Sequence, residues 1–364
     1  MTQFTHLGPF SDLADAAERS RPLFPLAPPG PETQQAVLDT LSFAPGPAEP
    51  QDVTVERTWE RDGITGEEIS WSVSYGPRTH AWLLRPLGVA GRLPGIVTLH
   101  DHGGFKYYGK EKIADGPDDL PEVLKPFRAF YYGDRAYPNA LAREGFAVLV
   151  PDTFLWGSRR FPWEIVSSSD AEETVSAYNE ATGPHEHVVE KYCAVLGTTL
   201  AGVVSFEDRV AAAYLASRAD VDGDALGCIG LSGGGARSAL LQATCEHIRA
   251  AVIVGMMSTY EGLLDHNIAC HTWMFFPHGW SRRGDWADLA ACRAPSPLLV
   301  QYDREDGLFS PEGMDAAHRR LAAHYESVGH PEDYAGQFYP GPHKFDLEMQ
   351  GAAFAWLGQQ LKER

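Results

Sequence analysis

Hydrophobic positions along the chain follow two kinds of pattern. Between residues 52 and 86 they alternate, as in Trp71, Val73 and Tyr75 and then Ala81 and Leu83, which predicts two or three antiparallel strands at the edge of a sheet. From Pro94 onward the pattern changes to unbroken apolar runs at 96–99, 146–150, 226–231, 251–254 and 298–300, which suit strands covered on both faces. Between these runs the apolar spacing is three and four, as in Val203, Phe206, Val210 and Tyr214, or Met314, Ala317, Leu321, Tyr325 and Val328. That is the spacing of one helix face. The second of these helices has Ser310 and Pro311 at its start and Gly329 as its stop. Strands alternating with helices predict an α/β fold with a mostly parallel central sheet, in which active residues collect at the C-terminal ends of the strands.

Two kinds of segment break this rhythm. Residues 1–51 are punctuated by nine prolines, with short helical candidates at 11–19 and 32–41, and read as an arm rather than a domain. The arm either wraps the core or meets a second copy of the chain. Within 52–364, taken as one catalytic domain, the stretches 101–144 and 154–199 are too long for simple connections and are rich in Phe, Tyr and Trp. Insertions of this kind build pocket walls or lids, and their aromatics also serve as plain core packing.

Composition narrows the function classes. The chain has 364 residues, 44% of them hydrophobic, and a formal charge of −19 that repels phosphate backbones and anionic membranes, so no nucleic-acid or membrane partner is expected. Its five cysteines (Cys193, Cys228, Cys245, Cys270 and Cys292) form no CxxC pair and read as buried thiols. Residues 1–10 lack a basic segment followed by an apolar core, and no stretch is long enough to span a bilayer, so a cytoplasmic protein is expected.

The chemistry centres on Gly230, Ser232 and Gly234. A Gly-x-Ser-x-Gly turn between the run at 226–231 and a helix from residue 236 is the pattern of a nucleophile elbow. A serine hydroxyl needs a base, an acid to orient that base, and donors for the oxyanion. In the elbow architecture the acid and then the histidine follow the serine. Asp303, Glu305 and Asp306 compete as the acid after the 298–300 run, and Asp306 is preferred because it lies at the turn into the Ser310 helix. His318 and His324 fall within a helix and His330 just after it, which reads them as surface residues. His343 follows a strand candidate at 337–339 and a Pro-Gly-Pro turn, the placement expected of the base. The oxyanion donors are expected to be the amides of Gly233 and of His102, with Gly103 as the alternative to His102.

Rival readings bear on the same residues. His100, Asp101 and His102, with His185 and His187 or His266, Cys270 and His271, could form a metal site, but none has zincin-type spacing, and no metal or cofactor is expected. Lys106, Lys110 and Lys112 follow the oxyanion loop and read either as a solvated basic face, the preferred reading, or as a site for an anionic substrate.

The strings LHDHGGFKYYGKEK (99–112), GLSGGG (230–235), CHTWMFFPHG (270–279), PLLVQYDREDGLF (297–309) and GPHKFDLEMQ (341–350) resemble the acetyl-xylan-esterase-like and dienelactone-hydrolase-like branch of the α/β-hydrolases, over roughly residues 52–364. The resemblance implies the α/β-hydrolase fold, Ser232 as nucleophile with Asp306 and His343, and a place near the active site for 270–279. Dienelactone hydrolases proper use a cysteine where this chain has serine, which favours esters over lactones. The expected activity is hydrolysis of a small-molecule ester with a short acyl group, acetyl first. The rival functions are cleavage of a lactone, amide or carbon–carbon bond by the same residues, and a catalytically silent binding protein on this fold.

Overall fold

The computed structural model describes residues 4–163 and 171–362. The arm contributes α1 (Leu13–Ser20) and α2 (Pro31–Leu41). It is followed by β1 (Gln51–Arg61), β2 (Ile64–Ser72), β3 (Thr79–Pro86) and β4 (Leu93–Leu99). Next come α3 (Lys125–Tyr132), α4 (Tyr137–Arg143), β5 (Ala147–Pro151), α5 (Ala171–Val195), α6 (Leu200–Ser217), β6 (Val221–Leu231) and α7 (Gly233–Thr244). The chain ends with β7 (Ile248–Val254), α8 (Trp286–Ala291), β8 (Leu298–Asp303), α9 (Pro311–Ser327), β9 (Tyr334–Tyr339) and α10 (Leu347–Lys362).

The strands form one nine-stranded sheet in the order β1-β2-β3-β5-β4-β6-β7-β8-β9. The pairs from β1 to β5 are antiparallel, and every pair from β5 through β4 to β9 is parallel. The unbroken apolar runs explain the second half. Successive side chains of a strand point to opposite faces, and here both faces are covered. Val97, Leu99, Cys228, Ile253 and Val300 join the core under α6, α7 and α8, while Ile96, Ile229, Val252 and Leu299 join the one under α4 and α10. The alternating N-terminal segment becomes the antiparallel edge. Its outermost strand, β1, is exposed almost along its whole length and packs chiefly through Trp59 edge-on to Trp82.

The sheet grows from β4 in two directions, with β5 on one side and β6 on the other. Ligand crevices form outside the carboxyl ends of strands at such a switch point, and here the loops after β4 and β6 meet. Within 101–144, α4 is the crossover that covers β3 and β5. The other stretch, 154–199, falls partly outside the described residues and is otherwise dominated by α5. The arm lies against its own chain: Val37 and Leu41 are buried, α2 packs on α6, α7 and α8, and the Leu41 carbonyl accepts a hydrogen bond from Thr198 at 2.9 Å.

One buried ion pair ties the helical layer to the switch point. Arg237 of α7 donates to both oxygens of Asp208 on α6, at 2.9 and 2.6 Å, and to the carbonyl of His100 at the end of β4. Burial pushes the Asp208 carboxyl up despite this partner. Removing one half of a buried pair leaves the other charge uncompensated. Arg237→Met is therefore expected to lower the unfolding free energy by about 3–5 kcal/mol, measured by urea denaturation. The double variant Arg237→Met/Asp208→Leu should recover most of that loss, and a double variant as unstable as the single one would contradict this account.

Candidate active site

The turn after β6 carries Ser232 in a backbone conformation (φ 57°, ψ −123°) that a side-chain-bearing residue adopts only under constraint. The constraint is close packing. A Cβ on Gly230 would lie 2.5 Å from the Leu99 carbonyl oxygen and from the Gly234 backbone, and one on Gly234 would overlap the same Leu99 oxygen. The Ser232 amide is tied to the Val254 carbonyl at 2.9 Å. These contacts seat the serine at the mouth of the switch point, half-buried.

Of the three acids after β8, Asp306 is the one bonded to His343, with Oδ2 2.6 Å from Nδ1. Its Oδ1 accepts the Leu308 amide at 2.9 Å, and the residue is buried. Asp303 instead receives the Lys344 amide at 3.1 Å, and burial raises its carboxyl to about 7. Glu305 accepts the Gly341 amide and so braces the turn before His343. With Nδ1–H given to Asp306, the His343 Nε2 carries the lone pair; it is buried and has no hydrogen-bond partner. His343 and Ser232 line the same cavity, of about 200 Å³, although no hydrogen bond joins them in this geometry. Such bonds commonly tighten only when substrate is bound. Of the other histidines, His318 and His330 contact neighbouring side chains away from this cavity. His324 departs from the surface reading: it is buried, with Nε2 2.6 Å from Asp288.

The loop after β4 supplies the facing wall. A Cβ on Gly233 would lie 2.6 Å from the His102 amide nitrogen, so the two backbones are in close contact. The Lys112 ammonium binds the carbonyl oxygens of Asp101, at 2.5 Å, and His102, at 3.3 Å. In a trans peptide the N–H points opposite to the C=O. Anchoring these carbonyls therefore turns the amides of His102 and Gly103 away from Lys112.

The three lysines correct the expectation of a solvated face, and they do not form an anion site either. All three are buried and paired, Lys112 with Asp101, Lys110 with Asp152 and Glu111, and Lys106 with Glu186. Burial pushes the Lys106 and Lys112 ammonium groups below their usual pKa. Two residues of the metal reading, Asp101 and His102, are likewise engaged. His102 accepts the Gly104 amide on Nδ1 and meets Glu186 through Nε2, while Asp101 is held by Lys112 and by the Tyr132 hydroxyl at 2.6 Å. Among the described residues, the sets whose potential ligand atoms converge are Asp303, Asp306 and His343, and His330, Glu332 and Asp333. In the first set, the Asp306–His343 hydrogen bond engages Oδ2 and Nδ1.

Several residues that the sequence pattern does not single out complete the site. Glu186, on α5, is buried and accepts from His102 (2.8 Å), Lys106 (2.6 Å), the Thr272 hydroxyl (2.7 Å) and the Trp273 amide (3.1 Å). Burial opposes its ionisation, yet bonds from His102 and Lys106 hold its carboxyl well below the usual range. His271 gives Nε2–H to the Leu308 carbonyl at 2.9 Å, packs between Phe275 and Phe309, and lines the cavity with Thr272, Tyr131 and Met256. Cys270 also lines the cavity and is exposed, which corrects the buried-thiol reading for that residue. A single histidine, glutamate or threonine carries no periodic signal. Apart from the metal reading of Cys270 and His271, only the resemblance of 270–279 pointed here.

No family model matches the chain. Over 319 residues, 87% of this chain and 90% of the other, it is 23% identical to the Bacillus subtilis (strain 168) protein named "Putative hydrolase YtaP". Among solved structures, a glucuronoyl esterase from Solibacter usitatus superimposes with a TM-score of 0.64 at 14% identity, covering 98% of this chain and 96% of the other. An acetyl xylan esterase from Paenibacillus sp. R4 gives 0.55 at 14% identity, with 91% and 93% covered. The chain has the α/β-hydrolase fold.

The His271 ring generates a pH prediction. Its burial lowers its pKa to about 4, from an ordinary value near 6.5. As pH falls from 6.5 to 4 the unfolded chain takes up this proton and the folded chain does not, so stability present above pH 6.5 is lost across that window. Asp303, raised to about 7, works in the opposite direction between pH 4 and 7, but it is common to the native protein and a His271 variant. The acid-side loss in urea-melt stability is expected to be smaller in His271→Gln than in the native protein by up to about 3 kcal/mol. Equal losses would mean that the folded protein protonates His271 as readily as the unfolded chain.

Proposed function

We propose that this chain is a serine carboxylic-ester hydrolase with Ser232 as nucleophile, His343 as general base and acid, and Asp306 as the group that orients His343. The observation that carries the reading is the meeting of a constrained serine, a carboxylate-bound histidine with an unpartnered Nε2, and an anchored backbone loop around one cavity of about 200 Å³. His343 Nε2 takes the hydroxyl proton as Ser232 Oγ attacks the ester carbonyl carbon. The amides of Gly233 and His102 receive the negative charge that develops on the carbonyl oxygen. Collapse of this intermediate breaks the ester C–O bond, and the imidazolium gives its proton to the departing alcohol. Water then enters, loses a proton to the same nitrogen and attacks the acyl-enzyme, releasing the carboxylic acid and restoring the serine. Asp306 stays ionised throughout and steadies the imidazolium.

The substrate proposed is a small-molecule ester with a short acyl group, acetyl first. The modest cavity supports a small group beside the serine, and the names of the solved structures, acetyl xylan esterase and glucuronoyl esterase, support a carbohydrate on one side of the ester. Hydrolysis of p-nitrophenyl esters from acetyl to octanoyl tests the reading. The native protein is expected to prefer the shortest esters, to be indifferent to a metal chelator, and to lose more than about a thousandfold in kcat on Ser232→Ala. Activity that survives this substitution would overturn the mechanism. An inactive native protein would shift the reading to another bond or to binding alone.

A further inference from the structure

A second cavity, of about 480 Å³, lies between the N-terminal arm and the segment that also walls the active site. Within that segment Cys270, His271 and Thr272 line the first cavity, whereas Ile268, Trp273 and Phe276 line the second. Three observations give it a chemistry. Its body is aromatic: Phe24 packs on Tyr260 with ring centres 5.7 Å apart, Tyr260 on Phe276 at 5.9 Å, and Trp273 completes the wall. The Tyr260 hydroxyl is already committed to the Phe275 carbonyl at 2.9 Å, so it offers a ligand little.

The charges at this cavity reverse those of the molecule. The chain carries 49 acidic against 30 basic side chains, yet no acidic residue lines this cavity and both Arg21 and Arg282 do. Neither guanidinium has a carboxylate partner among the described residues, whereas many of the other arginines are paired. The third observation is strain. Phe24 sits at φ 48°, unusual for a residue with a bulky side chain, and is held there by its amide bond to the Ser281 carbonyl and by Arg320, which binds the carbonyls of Phe24 and Pro25 at 3.2 and 3.0 Å. Backbone strain held in place by its surroundings clusters at ligand sites.

We propose that this cavity is a separate binding site for an organic anion: an aromatic or compact apolar body stacked among Phe24, Tyr260 and Trp273, with one carboxylate or sulfonate taken by Arg21 and Arg282. The volume falls in the range of small-molecule sites. Guanidinium groups suit a planar or tetrahedral acid through paired N–H donors. The proposal is independent of the ester chemistry, since the two cavities draw on different side chains of their shared segment.

The test uses 8-anilinonaphthalene-1-sulfonate, followed by fluorescence and calorimetry, with the uncharged N-phenyl-1-naphthylamine as comparison. The native protein is expected to bind one sulfonate per chain. Arg21→Ala/Arg282→Ala should weaken it at least tenfold while leaving the uncharged probe within about twofold. Both substitutions are at exposed positions, and circular dichroism checks that the fold is intact. Leu264→Trp, which fills the cavity, should remove both probes. Sulfonate binding that survives the arginine substitutions or Leu264→Trp would overturn the proposal. So would a native protein that binds no sulfonate and is a dimer by light scattering, because the cavity would then be an interface between copies.

Discussion

The structure depends on one backbone contact, the seating of the Gly230–Gly234 turn against the end of β4. Any side chain at Gly230 or Gly234 would strike the Leu99 carbonyl, and one at Gly233 would strike the His102 amide. This packing holds Ser232 in its uncommon conformation, and it also decides which loop faces the serine. With β4 in the middle of the nine-stranded sheet and β6 beside it, the two C-terminal ends cannot separate without breaking the paired register from Gly95–Leu226 to Leu99–Gly230. The geometry of the proposed nucleophile and of its proposed oxyanion donors is thus a property of the sheet.

The loop after β4 is held by charge in a dry place. Lys112 fixes two carbonyls of the loop, Arg237 a third, and Glu186 the His102 imidazole, and each of these ions is itself paired. Buried pairs contribute little net stability compared with apolar side chains of the same volume, because desolvation offsets most of the attraction. Their value here is directional. An ammonium at hydrogen-bond distance from two successive carbonyls dictates the orientation of two peptide planes, which apolar packing would leave free to rotate. Arg128 extends the arrangement, clamping the carbonyls of Glu111, Lys112 and Ala114 from α3.

The parts of the molecule legible in the sequence were those with a period or a fixed chain order. Unbroken apolar runs located β4 to β8, because covering both faces favours apolar side chains at successive positions. Ser232, Asp306 and His343 could be proposed together because serine, acid and histidine follow a fixed order on this fold and each sits just after a strand. The structure brings Asp306 and His343 into hydrogen-bond contact on one cavity with Ser232. Lys106, Lys110 and Lys112 were misread because exposure is not written in residue type: a lysine whose partner lies 42 or 80 positions away, as Asp152 and Glu186 do, looks like any surface lysine. His324, paired with Asp288, and Glu186, with four donors from two distant segments, escaped notice for the same reason. Cys270 misled in the other direction, since a cysteine without a CxxC partner reads as a buried thiol and here borders the cavity.

The burial of so many cations has an electrostatic consequence. Lys106, Lys110, Lys112, Arg159 and Arg237 are neutralised by acids buried with them, so the formal charge of −19 is left to the rest of the molecule, and the outward field is that of a strongly anionic protein. A neutral ester approaches such a surface without penalty, whereas the carboxylate formed from it is repelled, so on the esterase reading the field favours product departure over rebinding. An anion bound for the second cavity meets the same repulsion over roughly one Debye length, about 8 Å at physiological salt. It gains from Arg21 and Arg282 only at contact, and its apolar body must supply the rest through burial among the aromatic rings. The field and the cavity together therefore discriminate against small hydrophilic anions and in favour of acids with a substantial apolar part.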